Sequence, residues 1–198
     1  MLGHMEERTT LRERKRRQTR ALLIETGRRL FEANGYDQTT VADIAAAAEI
    51  GTRTFFAYFE SKEQLLFDEI DPRVISAIEA IRTRAVDETP AQTLLRGLNS
   101  DAIEAEAHNP VAQLRLRLLP DVPAIQARAL RLQLDAQDEI QRELRSAYPE
   151  LTAVEAAALV GAITGAVAAA YRALGEEGAI DERQHEVHAV VERVLHPR

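Results

Sequence analysis

Apolar residues recur every three or four positions along most of the 198-residue chain, which is the spacing of one face of an α-helix. Leu23, Gly27, Leu30 and Phe31 follow this spacing, and the segment 41–48 repeats it. No segment sustains the two-residue alternation of a half-buried strand. The pattern therefore predicts an all-α protein, with roughly nine or ten helices.

Glycine and proline residues interrupt this pattern at intervals that suit the ends of helices. The interrupting residues are Gly35, Gly51, Pro72, Pro90, Pro110, Pro120, Pro123, Pro149, Gly175 and Gly178. Capping boxes are predicted at Thr40–Asp43, Ser61–Gln64 and Thr152–Glu155, so helices are expected to begin there. Asp71, just before a proline, is predicted to mark either a kink in the helix from Ser61 or the cap of a second helix.

The composition excludes several classes of site. The chain has no cysteine, which rules out disulfides, thiol nucleophiles and cysteine-ligated metals, and we expect a reducing, cytoplasmic location. The most apolar segment, 153–170, is rich in alanine and contains Glu155. It is therefore predicted to be a packed helix and not a membrane span.

Charge is distributed unevenly along the chain. The net charge is −7, but residues 1–67 hold 11 Lys/Arg and 10 Asp/Glu, whereas residues 68–198 hold 14 and 22. Six of the basic residues lie in the segment 12–20, where Glu13 is the one acidic residue. A basic arm on an acidic molecule is typical of a nucleic-acid contact, although alone it would be interpreted as a solvated run.

The segment 40–59 has the pattern of a helix-turn-helix. One short helix is predicted from Thr40 to about Ala48, a turn at 49–51, and a second short helix from there to about Phe59. On the second helix, Phe55 and Phe59 are expected to pack onto the first part of the chain. The opposite face would then present polar side chains to a major groove of DNA.

Nine residues are candidate DNA contacts on this interpretation. Arg53 is suited to a guanine edge and Thr54 to a thymine methyl or a phosphate, while Lys62 is expected to meet a phosphate together with the start of the next helix. The full set is Arg16, Arg17, Arg20, Thr40, Thr52, Arg53, Thr54, Tyr58 and Lys62.

These residues lie within a segment, 22–66, that strongly resembles the DNA-binding domain of the TetR family of transcriptional regulators. The matching positions are Leu30-Phe31, Gly35-Tyr36, Thr39-Thr40-Val41, Ile44-Ala45, Thr54, Tyr58-Phe59, Ser61-Lys62-Glu63 and Leu65-Leu66. The resemblance implies a homodimer that binds a palindromic operator in double-stranded DNA, usually as a repressor released by a small molecule. The run RTFFAYFESKEQLLFDE also resembles a subgroup with acyl-CoA-type ligands, including mycofactocin-type regulators.

Three positions depart from the family's pattern. The family usually has Tyr at Phe56, where the hydroxyl meets a phosphate, and often a basic or histidine residue at Ala57. Its turn often has Gly at Glu49, so Glu49 is expected to adopt an unfavourable φ. These departures put individual DNA contacts in doubt.

The resemblance also divides the chain. Residues 1–10 are predicted to be a cloning scar and a disordered terminus, 11–67 the helix-turn-helix domain, and 68–198 a ligand-binding and dimerisation domain. The homodimer is expected to form through the two helices near 153–172 and 183–195. The first of these helices is rich in small residues. An apolar stripe is core more often than ligand contact, but the pocket candidates are Ile78, Ile81, Leu94, Leu98, Leu114 and Leu118.

Other functions remain open from the residues alone. His185 and His188 are spaced i,i+3 on one helical face, with Glu192 one turn further on, but no distant partner ligand is evident, so no metal or cofactor is predicted. Arg115 and Arg117 alternate with leucines and are interpreted as solvated or as contacts to an anionic ligand. The rival classes are an all-α small-molecule carrier or enzyme without DNA binding, and a protein that only dimerises.

Overall fold

Helices supply all the regular structure in the parts of the chain that the structure, a computed structural model, describes: residues 10–67, 71–98, 108–176 and 186–195. In the last two helices the side chains of 175, 176, 188, 192 and 195 are not described. The predicted cloning scar and the His185, His188 and Glu192 side chains lie outside these residues. The all-α prediction is confirmed.

The chain divides into two units, Met1–Leu66 and Phe67–Arg198. Among the residues that the structure describes, unit 1 contains three α-helices and one 3₁₀ turn, and unit 2 contains six further α-helices. The elements of unit 1 are α1 (Leu11–Asn34), α2 (Val41–Ala47), α3 (Thr52–Phe56) and the 3₁₀ turn Glu63–Leu66. The elements of unit 2 are α4 (Pro72–Arg82), α5 (Pro90–Leu98), α6 (Pro110–Leu118), α7 (Pro123–Ala147), α8 (Ala153–Glu176) and α9 (Glu186–Leu195).

Helix α1 contains the whole basic segment 12–20, so this segment is helical and does not form an extended arm. The helix begins with a capping box, because the Thr10 hydroxyl accepts from the Glu13 N–H while the Glu13 carboxylate accepts from the Thr10 N–H. It ends at Gly35, whose φ of 85° suits glycine and whose N–H donates to the Phe31 carbonyl at 3.0 Å.

The core of unit 1 is small and fully closed. Leu23, Ile44 and Phe55 are each 0% exposed, and Phe59 is 1% exposed. A Cβ atom at Gly27 would lie 2.6 Å from Cδ1 of Leu65, so the missing side chain lets α1 approach the 3₁₀ turn closely. The predicted packing of the two phenylalanines is therefore confirmed.

The segment after Ser61, predicted to be an α-helix, forms a short 3₁₀ turn in the structure. The 3₁₀ turn covers only Glu63–Leu66, and the following α4 begins at Pro72. The Gln64 side chain accepts from the Glu60 N–H at 2.6 Å, one residue earlier than the predicted capping box at Ser61. Of the two alternatives at Asp71, the cap is correct, because its carboxylate accepts from the Arg73 N–H at 2.9 Å.

Helices α4, α5, α7 and α8 enclose the main core of unit 2. Its buried side chains include Val74, Ile81, Leu95, Leu144 and Val160. The prolines at 72, 90, 110 and 123 each occupy the first turn of a helix, where the missing N–H costs nothing. The Thr152–Glu155 capping box forms as predicted, with the Glu155 carboxylate 2.9 Å from the Thr152 nitrogen.

Helices α4 and α5 cross unusually closely at Gly97. A Cβ atom there would lie 3.0 Å from the Ala77 Cα and 3.3 Å from the Ser76 carbonyl oxygen. The adjacent residue, Arg96, donates to the Ala80 carbonyl at 2.7 Å and forms an ion pair with Glu88 at 2.8 Å. Backbone contact and side-chain hydrogen bonds therefore hold the same pair of helices together.

Helix α8 is apolar but little covered within one chain. By length and composition alone, Ala153–Leu174 would suffice to cross a membrane, and the core helix of a soluble protein passes the same test. Only 22% of its most apolar window is buried. Ala157, Ala162 and Ala169 are exposed, and Val154 is 77% exposed. Exposed apolar surface of this kind is typical of a helix that packs against a further surface.

Candidate nucleic-acid interface

The turn between α2 and α3 is closed by backbone hydrogen bonds. The Ile50 N–H donates to the Ala45 carbonyl at 2.9 Å, and Glu49 has a φ of 55°. This is the left-handed region, which costs a residue with a Cβ roughly 1 kcal/mol relative to glycine. The unfavourable φ predicted for Glu49 is thus present, and its exposed carboxylate lies on the loop between the two helices.

Glu49→Gly is expected to stabilise unit 1 by about 0.5–1 kcal/mol, because glycine adopts a positive φ without steric strain. Glu49→Ala is the matched control, since it removes the same carboxylate but keeps the Cβ. The difference between the two variants in urea midpoint isolates the backbone effect. Equal midpoints for the glycine and alanine variants would contradict the strain argument.

Helix α3 separates a buried face from an exposed one. Phe55 points into the core, and its ring centroid lies 5.7 Å from that of Phe59. Thr52, Arg53 and Thr54 are exposed. The α-helix ends at Phe56, three residues earlier than predicted, but the Phe59 N–H still donates to the Phe55 carbonyl at 3.0 Å. The buried phenylalanines thus fix the position of a short helix whose three polar side chains face solvent.

Tyr58 and Thr40 flank this face. Tyr58 is half-buried and follows the end of α3. Thr40 is the N-cap of α2, and its hydroxyl accepts from the Asp43 N–H at 3.1 Å and donates to the Asp43 carboxylate at 2.6 Å. The hydrogen bonds that the Asp43 carboxylate accepts from the Thr40 hydroxyl and from the Thr40 N–H lower the pKa of Asp43, so the carboxylate stays ionised beside the start of α2. The capping box predicted here is confirmed.

The arginines predicted on the basic segment fall into two groups. Arg16 and Arg17 are exposed on α1. Arg20 is half-buried, and its Cζ lies 4.5 Å from the centroid of the Phe59 ring. A guanidinium over an aromatic face is a cation–π contact, so Arg20 helps to cover the phenylalanine that supports α3.

Lys62 makes contacts within unit 1 that the sequence did not indicate. Its Nζ donates to the carbonyl oxygens of Tyr36 at 2.6 Å and Thr39 at 2.9 Å. The same ammonium lies 4.1 Å from the centroid of the Tyr36 ring. Because a lysine has three N–H donors, two of them are used to hold the loop between α1 and α2. The phosphate contact stays a prediction that depends on the third.

Tyr36, Thr39 and Glu63 complete this cluster, and sequence reasoning assigned them no role. The Tyr36 hydroxyl donates to the Glu63 carboxylate at 3.3 Å, and the Thr39 hydroxyl donates to the Gly35 carbonyl at 2.8 Å. Burial first, and then the Glu63 carboxylate, raise the pKa of the Tyr36 phenol above its ordinary value. In the sequence, the feature that could have indicated a role for them is that Tyr36 and Glu63 both lie at positions that match the TetR-family pattern.

In unit 2 the pocket candidates are mostly part of the core. Ile81, Leu94 and Leu114 are buried, while Ile78, Leu98 and Leu118 are half-buried. An open cleft is lined by Ile81, Arg82, Arg84, Val86, Glu143, Ser146 and Ala147, and it shares only Ile81 with the candidates. The ligand-contact roles of the six residues therefore stay predictions.

Residues 23–68 match the model of a family described as bacterial regulatory proteins, tetR family. The chain is 42% identical over 84 residues to the HTH-type transcriptional regulator TcmR of Streptomyces glaucescens, covering 42% of this chain and 37% of that protein. It is 37% identical over 71 residues to the regulator EthR of Mycolicibacterium smegmatis, covering 36% and 32%. The matches thus span only about a third of these curated relatives.

Solved structures extend the similarity of fold to most of the chain. FadR of Thermus thermophilus, a TetR family transcriptional repressor solved with lauroyl-CoA, superposes with a TM-score of 0.53. It is 19% identical, covering 90% of this chain and 96% of that one. The fatty acid degradation regulator FadR of Bacillus halodurans gives 0.52 at 15% identity, covering 89% and 92%. The named relatives are regulators, and the family is not enzymatic.

Proposed function

We propose that the protein is a transcriptional regulator that binds an operator as a homodimer, and this proposal rests on the match of residues 23–68 to the family model of tetR-family bacterial regulatory proteins. We propose repression, relieved by a small molecule that binds unit 2. DNA binding implies a cytoplasmic location. The observation that carries the proposal is the arrangement of α3, whose Phe55 is 0% exposed while Arg53 and Thr54 face solvent.

The exposed face of α3 is suited to a major groove. Arg53 carries a planar fork of donors that matches the O6 and N7 acceptors of guanine, and Thr54 offers a hydroxyl and a methyl group. Thr52 lies in the same first turn. Arg16 and Arg17, exposed on α1, supply charge for phosphates outside the groove.

Dimerisation is supported by helix α8. Its small residues, including Gly161 and Gly165, allow a second helix to approach closely, and apart from the adjacent residues and backbone of α8 itself no described atom lies within 4 Å of a Cβ built at either glycine. Only 22% of its apolar window is covered in one chain, which leaves a surface for a second copy. We propose that α8 and α9 pair with the same helices of the partner, as in an intersubunit four-helix bundle.

Selection of bound duplexes from a random pool tests the proposed function directly. We expect a palindromic consensus with two half-sites, because a twofold dimer places two copies of α3 in successive major grooves. Arg53→Gln should relax the preference at one base pair in each half-site, at a cost of about 1–3 kcal/mol.

Arg29→Gln is the control for this experiment, since Arg29 lies on α1 outside the proposed contact set. It should leave the consensus unchanged. Recovery of unenriched pool sequences by the wild-type protein would overturn DNA recognition. It would favour the rival interpretation of an all-α small-molecule-binding protein.

A further inference from the structure

Helix α3 exposes a large aromatic side chain next to its polar residues. Phe56 is 56% exposed, whereas Phe55 and Phe59 are 0% and 1% exposed. The Phe56 ring packs edge-on against the Phe55 ring, with the two centroids 5.5 Å apart and the ring planes at 84°. The exposed ring is thus supported by a buried one, and its outer surface faces solvent.

Phe56 and Ala57 lie beside Arg53 on the exposed surface of α3. They follow Arg53 by three and four positions, the two spacings at which helical side chains are neighbours. Ala57 is exposed and is the C-cap of α3, with a helical φ of −77° and ψ of −13°. Arg53 therefore has an apolar surface next to it, toward the C-terminal end of the helix.

This apolar surface has no means of reading a base by hydrogen bonding. The side chains of residues 55–57 contain neither a donor nor an acceptor, so they also form no hydrogen bond to a phosphate. Among the groups that base pairs present in the major groove, the C5-methyl group of thymine is the apolar one. Alanine, phenylalanine and the methyl group of threonine are side chains that make apolar contact with it.

We propose that Phe56, with Ala57 beside it, packs against the C5-methyl groups of thymines in the major groove, next to the guanine proposed for Arg53. This inference rests on the proposed function, because it requires α3 to lie in the groove. Four residues of an α-helix rise about 6 Å, and successive base pairs of B-DNA lie about 3.4 Å apart. Each operator half-site is therefore expected to have an A·T pair within about two steps of the guanine.

Replacement of thymine by uracil in the selected operator tests this contact, because uracil lacks only the C5-methyl group. Each thymine of the half-site is replaced in turn, in both half-sites at once, and the affinity of the wild-type protein is measured by fluorescence anisotropy. Burial of one methyl group corresponds to about a fourfold change in affinity, and hence to about 10- to 20-fold for two half-sites. We expect this loss at one or more thymines near the guanine. Uracil outside the half-sites is the control and should leave the affinity unchanged.

Phe56→Ala assigns the contact to its side chain. The quantity compared is the ratio of the affinities for the thymine and the uracil operators, because a general loss of stability or of binding leaves this ratio unchanged. At one thymine we expect the ratio to decrease from about 10–20 to about 2 or less. Phe56→Leu, which keeps an apolar side chain, should retain part of it.

Leu22→Ala is the matched control. Leu22 is an apolar side chain of α1 that is 49% exposed, close to the exposure of Phe56, and it lies outside α3. This variant should give the wild-type ratio at every thymine. The uracil comparison in the wild-type protein needs no variant, so it decides whether the methyl groups are contacted even if Phe56→Ala binds too weakly to measure. Phe56→Leu then decides the assignment.

Three results would overturn the inference. The first is an unchanged affinity of the wild-type protein for every uracil operator. The second is an equal loss for thymine and uracil operators in Phe56→Ala, which would place the ring against the sugar–phosphate backbone. The third is a selected half-site with only G·C pairs within two steps of the guanine.

The failure of this inference is distinguishable from that of the proposed function. If no duplex is enriched by selection, the regulator function fails and the methyl contact fails with it. If a palindromic duplex is enriched but binds equally well after every thymine is replaced by uracil, the methyl contact fails alone and the regulator function stands.

Discussion

Phe55→Ala is expected to unfold unit 1 and abolish DNA binding. Phe55 is 0% exposed, and truncation of such a core phenylalanine costs about 3–5 kcal/mol. That is a large share of the roughly 5–15 kcal/mol that stabilises a whole domain. Helix α3 has only five residues and depends on this side chain for its position, since a helix so short is not stable alone. Urea unfolding followed by circular dichroism and a DNA-binding isotherm would measure the two losses.

Phe56→Ala is the control for that experiment. Phe56 is the next residue of the same helix, and its ring packs edge-on at 5.5 Å from Phe55 but is 56% exposed. Its truncation should cost well under half as much, about 1 kcal/mol or less. Similar losses of stability in the two variants would mean that α3 is not anchored by its buried face.

Lys62→Met is expected to destabilise unit 1 by about 2–3 kcal/mol, because it removes two charge-assisted hydrogen bonds and leaves the Tyr36 and Thr39 carbonyls without that donor. It also removes the cation from the Tyr36 ring. The apolar part of the side chain is kept in methionine. The measurement is the unfolding midpoint, and Lys15→Met, an exposed lysine of α1, should leave it unchanged.

The same variant separates two roles of Lys62. If its third N–H also neutralises a phosphate, the slope of log K against log salt should decrease in magnitude by about 0.9 for each subunit. If Lys62 only positions the loop before α2, stability falls and the slope is kept. An unchanged midpoint together with an unchanged slope would contradict both roles.

Features set by neighbouring residues could be predicted from the sequence. The capping boxes at Thr40 and Thr152, the cap at Asp71 and the positive φ of Glu49 all depend on contacts within four residues. The burial of Phe55 against the exposure of Arg53 follows from helical periodicity in the same way. The sequence predicted the two capping boxes and the burial of Phe55 directly, left the Asp71 cap as one of two alternatives, and indicated the φ of Glu49 through the family resemblance.

Features set by distant residues could not be predicted. Lys62 and Tyr36 are 26 positions apart, and no spacing rule joins a lysine to a carbonyl over that distance. The segment after Ser61 has the pattern of an α-helix, but the close approach of Leu65 to Gly27 accompanies only a four-residue 3₁₀ turn there. Arg115 and Arg128 both lie over the Phe67 ring, which is 48 and 61 positions earlier in the chain, and no spacing rule predicts such a contact.

The close crossing at Gly97 has a consequence for motion within unit 2. Since the Ala77 backbone leaves no room for a side chain there and Arg96 links α5 to the Ala80 carbonyl, the two helices cannot slide past each other without breaking these contacts. A displacement of α4 is therefore expected to displace α5 as well, so that the two helices move as one rigid unit. If unit 2 binds a small molecule as proposed, a displacement of α4 by that molecule would move both helices together.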